Sequence, residues 1–139
     1  MILLLLWVSL VFSSEFCIKP VENPYKEPYL SYALRRNIEN AILESGHKVG
    51  CGKDAITIVP IVKDLKETPI AYTPYQRVSA YNITLTVAIK DTKGEKDFSF
   101  TVPYSLPTGG LGDLPRRQAM DNVLGIIYIE FVQYFRRGY

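Results

Sequence analysis

The side chains with the most reactive chemistry in this sequence are a single histidine and two cysteines. His47 lies shortly before Cys51, at the end of a predicted helix, and Cys17 lies far upstream. A Cys–His pair becomes a nucleophile only when the two meet beside an orienting third group, and the spacing of His47 and Cys51 matches no known type of zinc site. We therefore predict no catalytic residue, no metal site and no cofactor, and interpret the chain as a binding protein rather than an enzyme.

A glycine-rich segment and the charge balance argue against two further functions. Thr108–Gly112 precedes a predicted helix, as a phosphate loop does, but it lacks the Gly-Lys-Ser/Thr ending and follows no parallel strand. We interpret it as a flexible connection. Sixteen Lys and Arg residues against fourteen Asp and Glu residues leave a net charge of +2. This balance gives no indication of a nucleic-acid partner.

The first residues of the chain predict export. Ile2–Phe12 is apolar apart from one serine, and the small residues Ser13 and Ser14 follow it, as in the core of a signal peptide. At about eleven residues the run is too short to span a bilayer, which needs roughly 20. We therefore divide the chain into a signal-peptide-like segment, 1–14, and one α/β domain, 15–139. The alternative is that the run is a buried strand or helix of the fold.

The predicted export also affects whether the two cysteines are oxidised or free. An oxidising compartment permits a disulfide between Cys17 and Cys51, provided that their Cα atoms lie about 4.4–6.8 Å apart. Two free, half-buried cysteines are the alternative, and the sequence leaves both open. The ten tyrosines suit a surface that meets a partner, because each offers an apolar ring with a polar tip.

Hydrophobic periodicity predicts an α+β domain. In chain order we expect a strand over 16–21, a helix between Pro28 and Gly46, a possible short strand over 47–49 and a strand over 55–62. A loop over 66–76, an alternating strand over 78–90, its return strand over 98–102 and a long last helix over 113–137 follow. A strand and a helix followed by an antiparallel meander indicate one sheet with helices packed on it. We predict a single mixed, mostly antiparallel sheet of about four strands, with both long helices on one of its faces.

Each helix has an apolar face that should cover the sheet. These faces consist of Leu30, Leu34, Ile38, Ala41 and Ile42 in the first helix and of Met120, Val123, Leu124, Ile127, Phe131, Tyr134 and Phe135 in the last. Ile126, Ile129 and Val132 widen the second stripe beyond what one sheet contact requires. Deep burial of the helix would account for this width, and so would contact with another protein.

Three stretches carry a family resemblance. They read IKPVENPYKEPYLSYALRRNIENAILESGHKV, DAITIVPIVKDL and RVSAYNITLTVAIKDTKGE. In this order and spacing the sequence resembles the lipopolysaccharide-assembly lipoprotein family, LptE (older name RlpB). The resemblance covers roughly residues 16–135, and its most specific part is the strand from Arg77 to Lys90 with Tyr81 inside it.

The resemblance implies a lipoprotein on the periplasmic side of the cell outer membrane. Members of the LptE family plug the lumen of the LptD β-barrel, bind lipopolysaccharide and assist its delivery to the outer leaflet. The basic contacts of the family lie in two regions, the hairpin connection and the segment that enters the last helix. We therefore predict Arg77, Arg116 and Arg117 as lipopolysaccharide-binding residues, since a guanidinium binds phosphate bidentately.

The predicted partner surface consists of Tyr72, Tyr75, Ile126 and Ile129, which we expect to contact an LptD-like barrel. Family members carry an acylated cysteine after a small-residue lipobox, which makes Cys17 the candidate lipid anchor, although Glu15 and Phe16 depart from that pattern. A second interpretation keeps the envelope location but changes the partner: a general periplasmic adaptor lipoprotein that binds another envelope protein.

Overall fold

The computed structural model describes residues 13–106 and 113–138 of the chain. The signal-peptide-like segment therefore lies almost wholly outside the described residues, and the glycine-rich segment 108–112 lies outside them too. The elements follow in the order β1 (Glu15–Ile18), α1 (Pro28–Glu44), β2 (Lys48–Val49), β3 (Ile56–Tyr72), β4 (Val78–Asp91), β5 (Gly94–Ser105) and α2 (Asp113–Arg137).

The strands form one mixed sheet in the order β2-β1-β3-β4-β5. β1 runs parallel to both of its neighbours, with Phe16 opposite Val49 on one side and Ile56 on the other. β3, β4 and β5 form an antiparallel meander. The predicted α+β class and mixed sheet are confirmed. The sheet has five strands rather than about four, because the short β2 pairs with the outer side of β1.

The β3–β4 hairpin is longer than predicted. The expected loop over 66–76 is wrong, because β3 continues through Tyr72 and pairs with β4 as far as Val78. Pro69 had suggested a break, since proline has no N–H for a strand ladder. Within the described part of the chain, β1 pairs only with the first residues of β3, so β3 is an edge strand at Pro69 and tolerates it. Only the turn 73–77 lies outside the two strands.

Both helices pack on the same face of the sheet. The predicted face of α1 is fully buried. Alternate residues of a strand share a face, and the alternate β4 residues Ile83, Leu85, Val87 and Ile89 belong to one continuous core cluster with the apolar residues of both helices. Most of the predicted face of α2 lies in this cluster too, and Val132, which seemed to widen the stripe, is itself buried.

α2 runs along β5 in the opposite direction. Near its end, Phe131 meets Phe98 edge-on, with ring centroids 4.9 Å apart, and the Tyr134 hydroxyl donates to Asp91. The side chain of Asn37 joins the two helices by donating to the Leu124 carbonyl oxygen over 2.6 Å. Among the described helices, none is long and apolar enough to cross a membrane.

A disulfide and a buried histidine hold the N-terminal end of the domain. Cys17 is bonded to Cys51, with their Cα atoms 4.5 Å apart, so the disulfide alternative is the correct one. The predicted lipid anchor at Cys17 is therefore wrong, because the sulfur that would carry a thioether is bonded to Cys51. His47 accepts a hydrogen bond from the Ser14 N–H at Nδ1 and donates from Nε2 to the Phe135 carbonyl oxygen. Its role in the fold is to join β1 to the end of α2.

The two ends of the molecule therefore differ in what they carry. β1 pairs with the beginning of β3, so Ser14, the disulfide and the end of α2 lie at one pole. The turn 73–77 follows the far end of β3 and lies at the opposite pole, together with the beginning of each helix. The length of β3 separates the two poles.

Loss of the disulfide should destabilise the domain. Its cysteines are 34 residues apart, and a cross-link of that span stabilises a fold by about 2–4 kcal/mol, because it restricts the unfolded chain. We expect the Cys17→Ser/Cys51→Ser variant to lose that much free energy of unfolding in urea titrations followed by circular dichroism. Wild-type protein in reducing agent should match the variant, and a midpoint that neither treatment moves would contradict the disulfide.

Candidate partner-binding site

The tip of the β3–β4 hairpin projects beyond the rest of the sheet. β5 ends at Ser105, opposite Ala80, and the last bond on that side joins the Leu106 N–H to the Ser79 carbonyl oxygen. Past this point, among the residues that the structure describes, only β3 and β4 continue the sheet. We call residues 69–79 the hairpin tip, and Arg77 is its single charged residue.

The turn of the hairpin tip is closed by its own backbone. The Thr73 N–H donates to the Arg77 carbonyl oxygen over 2.7 Å, and the Gln76 N–H donates to the Thr73 carbonyl oxygen over 3.0 Å. Gln76 has a φ of 61°, a left-handed conformation that costs an L-residue about 1–2 kcal/mol. Strain of this kind often occurs at functional loops, where the surrounding structure holds it in place.

Large apolar and aromatic side chains of the hairpin tip are open to solvent. Ile70 is 49% exposed, Tyr72 is 62% exposed and Tyr75 is 87% exposed. Two of these are the predicted partner residues of the hairpin. An exposed cluster of tyrosine and isoleucine beside a single cation is suited to a surface that is partly apolar and partly anionic, because tyrosine offers both a ring and a hydroxyl.

Arg116 does not belong to this exposed surface. Its Nη2 atom lies 2.7 Å from Glu27 and its Nε atom lies 2.7 Å from Glu67, so the guanidinium joins α2 to the start of α1 and to β3. Burial alone would lower the pKa of Arg116, but hydrogen bonds to the two carboxylates outweigh it and raise the pKa above its ordinary value. With two carboxylates already bound, this side chain is a structural link rather than a phosphate ligand.

Tyr104 completes the same network beneath the hairpin tip. Its hydroxyl donates to Glu67 over 2.7 Å, and its ring stacks on Tyr81 with centroids 5.5 Å apart. Burial, together with the hydrogen bond to Glu67, raises the pKa of Tyr104 above its ordinary value. The network fixes the base from which the hairpin tip projects.

Arg117 remains on the surface but stacks on a tyrosine. Its guanidinium carbon lies 3.9 Å from the ring centre of Tyr29, and the Tyr29 hydroxyl donates to Asp121 over 2.6 Å. That hydrogen bond raises the pKa of Tyr29 above its ordinary value. Arg117 is therefore an exposed cation on a fixed aromatic platform.

The three predicted arginines share a pole but do not form one cluster. Arg77 lies six positions beyond Ile83, the β4 partner of Glu67, which places it roughly 20 Å along the hairpin from the Arg116 network. The side chains of Arg77 and Arg117 are exposed, whereas the guanidinium of Arg116 forms salt bridges with two glutamates. The predicted partner residues Ile126 and Ile129 lie elsewhere, exposed on α2.

Sequence reasoning missed one residue of the tip, Ile70, and the two acids at its base, Glu27 and Glu67. Ile70 was assigned to a loop, although the long uncharged stretch 68–76 was a usable signal of an exposed interaction surface. No sequence pattern singles out Glu27 and Glu67, because Arg116, which forms salt bridges with both, is distant from them in sequence. Among the residues that the structure describes, no group of three His, Cys, Asp or Glu side chains is placed to hold a metal ion.

Comparison with other sequences gives one informative relative. No protein-family model matches the sequence. A protein of Aquifex aeolicus (strain VF5), described as an "Uncharacterized protein", is 36% identical over 137 residues, which cover 99% of this chain and 95% of the relative.

Comparison with solved structures gives similar folds at low identity. A minor lipoprotein from Acinetobacter baumannii matches with a TM-score of 0.52 and 13% identity over 88% of this chain and 92% of that one. Rare lipoprotein B from Shewanella oneidensis matches with 0.51 and 14%, over 90% and 92%. Uncharacterized lipoprotein B from Nitrosomonas europaea matches with 0.52 and 12%, over 91% and 87%. At such identities the likeness concerns the fold alone.

The different environments of the two adjacent arginines predict different costs of substitution. We expect Arg116→Met to lower the free energy of unfolding by about 1–3 kcal/mol, because Glu27 and Glu67 would keep half-buried charges without their partner. Arg117→Met loses one exposed stacking contact and should cost about 1 kcal/mol or less. Urea titrations of the two variants measure the difference, and equal losses would contradict the assigned roles.

Proposed function

We propose that this chain, which belongs to the same protein family as the Aquifex aeolicus relative, is an exported, non-enzymatic envelope protein that assists lipopolysaccharide assembly at the outer membrane. In this proposal it acts from the periplasmic side as the partner of an LptD-like β-barrel and binds lipopolysaccharide during its delivery to the outer leaflet. The function is the one that the resemblance to the LptE family implies.

The fold supports the proposal. The solved structures that share it are named rare lipoprotein B, lipoprotein B and minor lipoprotein, and the likeness runs through nearly the whole domain rather than one motif. Export is supported separately. Cys17 and Cys51 form a disulfide, a bond that persists mainly in oxidising compartments, and an apolar run precedes the domain.

The proposed binding role rests on the exposure of the hairpin tip. Lipopolysaccharide combines acyl chains with phosphates, so a protein that handles it needs apolar contact and a cation together. The tip offers Ile70, Tyr72 and Tyr75 beside Arg77, and Arg117 adds a second exposed cation at the same pole. The four side chains of the tip lie on a projecting two-stranded segment, which suits insertion into a cleft or the mouth of a barrel, whereas Arg117 lies on α2.

A second candidate function is that of a general periplasmic adaptor lipoprotein that binds another envelope protein. It would share the envelope location and the exposed hairpin tip with the first candidate, but its partner would not be a β-barrel. The disulfide between Cys17 and Cys51 bears on both candidates alike, because it removes Cys17 as an acylation site.

Recovery of the partner separates the two candidates. We expect affinity purification from detergent-solubilised envelopes to yield one large outer-membrane β-barrel, and the Tyr72→Ser/Tyr75→Ser variant to recover at least tenfold less of it. Tyr32→Ser is the matched control, because Tyr32 is 64% exposed on α1, away from the tip. Recovery of an inner-membrane or cell-wall protein would favour the adaptor, and equal recovery by all three proteins would refute a role for the tip.

Binding of purified lipopolysaccharide tests the cation requirement. Arg77→Glu/Arg117→Glu should weaken binding at least tenfold, because a carboxylate repels phosphate where a guanidinium bound it. Arg36→Glu makes the same charge change as each of the two substitutions, at an exposed position of α1, and should leave affinity within about twofold of wild type, a shift below 0.5 kcal/mol. Unchanged affinity in the double variant, folded by circular dichroism, would rule out these two contacts.

A further inference from the structure

The pole opposite the hairpin tip brings together segments from several elements, and we call it the N-terminal pole. It consists of β1 with its flanks, the end of α1 with β2 and the loop after it, the β4–β5 turn and the end of α2: residues 13–19, 44–54, 90–96 and 134–138. The first residues of β3 bring the strands together, because Ile56 pairs with Phe16 and Val59 pairs with Lys90. The rings of Phe16 and Phe135, with centroids 5.0 Å apart, attach the end of α2.

The N-terminal pole carries an excess of positive charge. Its eight Lys and Arg residues against five Asp and Glu residues give a net charge of +3, whereas the rest of the chain has eight against nine, a net charge of −1. All eight cations are exposed: Lys19, Lys48, Lys53, Lys90, Lys93, Lys96, Arg136 and Arg137. The positive charge of the protein is therefore concentrated at the end of the molecule that is remote from the hairpin tip.

Most acids of the N-terminal pole are engaged with groups other than these cations. Four of the five accept hydrogen bonds or form salt bridges in the following pairs: Glu15 with the Gly52 N–H, Glu44 with the Tyr128 hydroxyl, Asp91 with the Tyr134 hydroxyl and Glu95 with Lys63. Lys63 lies outside the pole. Among the residues that the structure describes, no salt bridge involves Lys48, Arg136 or Arg137. Their charges are therefore open to an external anion.

The chain enters the domain between two of these cations. The Lys48 N–H donates to the Ser14 carbonyl oxygen over 2.9 Å, and the Ser14 N–H donates to His47, which in turn donates to the Phe135 carbonyl oxygen. Because Lys48 follows His47 and Arg136 follows Phe135, both cations flank Ser14. The apolar run of the first residues joins the domain at the same point. A run that is held in a membrane would therefore bring the N-terminal pole against the headgroups.

We propose that the N-terminal pole docks on a phospholipid bilayer through the anionic headgroups of that bilayer. The charge of the pole is complementary to such a surface, and each Lys or Arg near an anionic membrane strengthens attachment severalfold. The cations surround the entry point of the chain from β2, the β4–β5 turn and α2, an arrangement that suits a broad surface better than a single small anion.

This docking would replace an acyl chain as the means of attachment, because the disulfide removes Cys17 as an acylation site. It rests on the envelope location in the proposed function, but on neither the barrel nor lipopolysaccharide. The hairpin tip stays uncovered, since it lies at the opposite end of β3.

Flotation with lipid vesicles tests the docking, using the exported chain purified from cells that express all 139 residues. We expect wild type to bind vesicles made of an equal mixture of phosphatidylglycerol and phosphatidylcholine at least tenfold more tightly than vesicles of phosphatidylcholine alone. Added salt should weaken the binding, because it screens the attraction between exposed charges. Lys48→Gln/Arg136→Gln/Arg137→Gln brings the net charge of the pole to zero and should weaken binding to the mixed vesicles at least tenfold.

A matched variant controls for the total charge of the protein. Lys26→Gln/Arg36→Gln/Lys66→Gln makes the same charge change at exposed positions outside the pole and should bind the mixed vesicles within about threefold of wild type, because these charges lie beyond a Debye length of the bilayer. Circular dichroism and urea titrations establish that both variants fold.

Three outcomes would overturn the proposal. The first is equal binding of wild type to both kinds of vesicle, and the second is unchanged binding by the folded pole variant. The third is a pole variant that keeps its affinity for phospholipid but loses affinity for purified lipopolysaccharide, since the pole would then be a second lipopolysaccharide surface. The pole variant should recover the barrel from detergent extracts as wild type does, so this proposal and the proposed function can fail separately.

Discussion

The antiparallel pairing of β3 with β4 is the interaction on which the rest of this structure depends. It gives β4 a central position, so that Ile83, Leu85, Val87 and Ile89 form the floor of the core. β3 begins before this ladder, and its residues Ile56–Ile58 pair in parallel with β1. The end of the β3–β4 ladder that extends beyond the last residue of β5 forms the hairpin tip. The floor of the core and the candidate binding site are therefore parts of one ladder, and the N-terminal corner is attached to that ladder through β3.

The sequence predicted those parts of the fold that arise from local periodicity. Both helices follow their apolar repeats, with Pro28 at the start of α1 and the expected residues buried. The far half of β3 could not be predicted, because Pro69 is a local signal for a break. Among the described strands, only β4 lies beside β3 at that point, so the missing N–H of Pro69 can be tolerated at the open edge. The possible short strand over 47–49 corresponds to β2, but two residues carry no periodicity that could predict the parallel pairing of β2 with β1.

The candidate site was predictable in kind but not in detail. Tyr72 and Tyr75 are exposed as expected, since an uncharged aromatic stretch outside a core pattern is typical of a surface that meets a partner. Sequence reasoning predicts one role for all three arginines, because the neighbouring positions of Arg116 and Arg117 on a predicted helix offer no basis for separating those two. What separates them is the convergence of Glu27 and Glu67 on Arg116. That depends on two ends of different elements meeting, which no local pattern encodes.

The distance between the N-terminal end of the domain and the hairpin tip has an electrostatic consequence. β3 has 17 residues and spans roughly 55 Å at a rise of about 3.3 Å per residue. A chain held at a membrane by its N-terminal end would place Arg77 about that far from the headgroups, or nearly seven Debye lengths at a physiological length of about 8 Å. The electric field of the charged headgroups would be almost completely screened at Arg77. The guanidinium would respond only to the charge of what touches the tip, and not to the lipid composition of the surface beneath the domain.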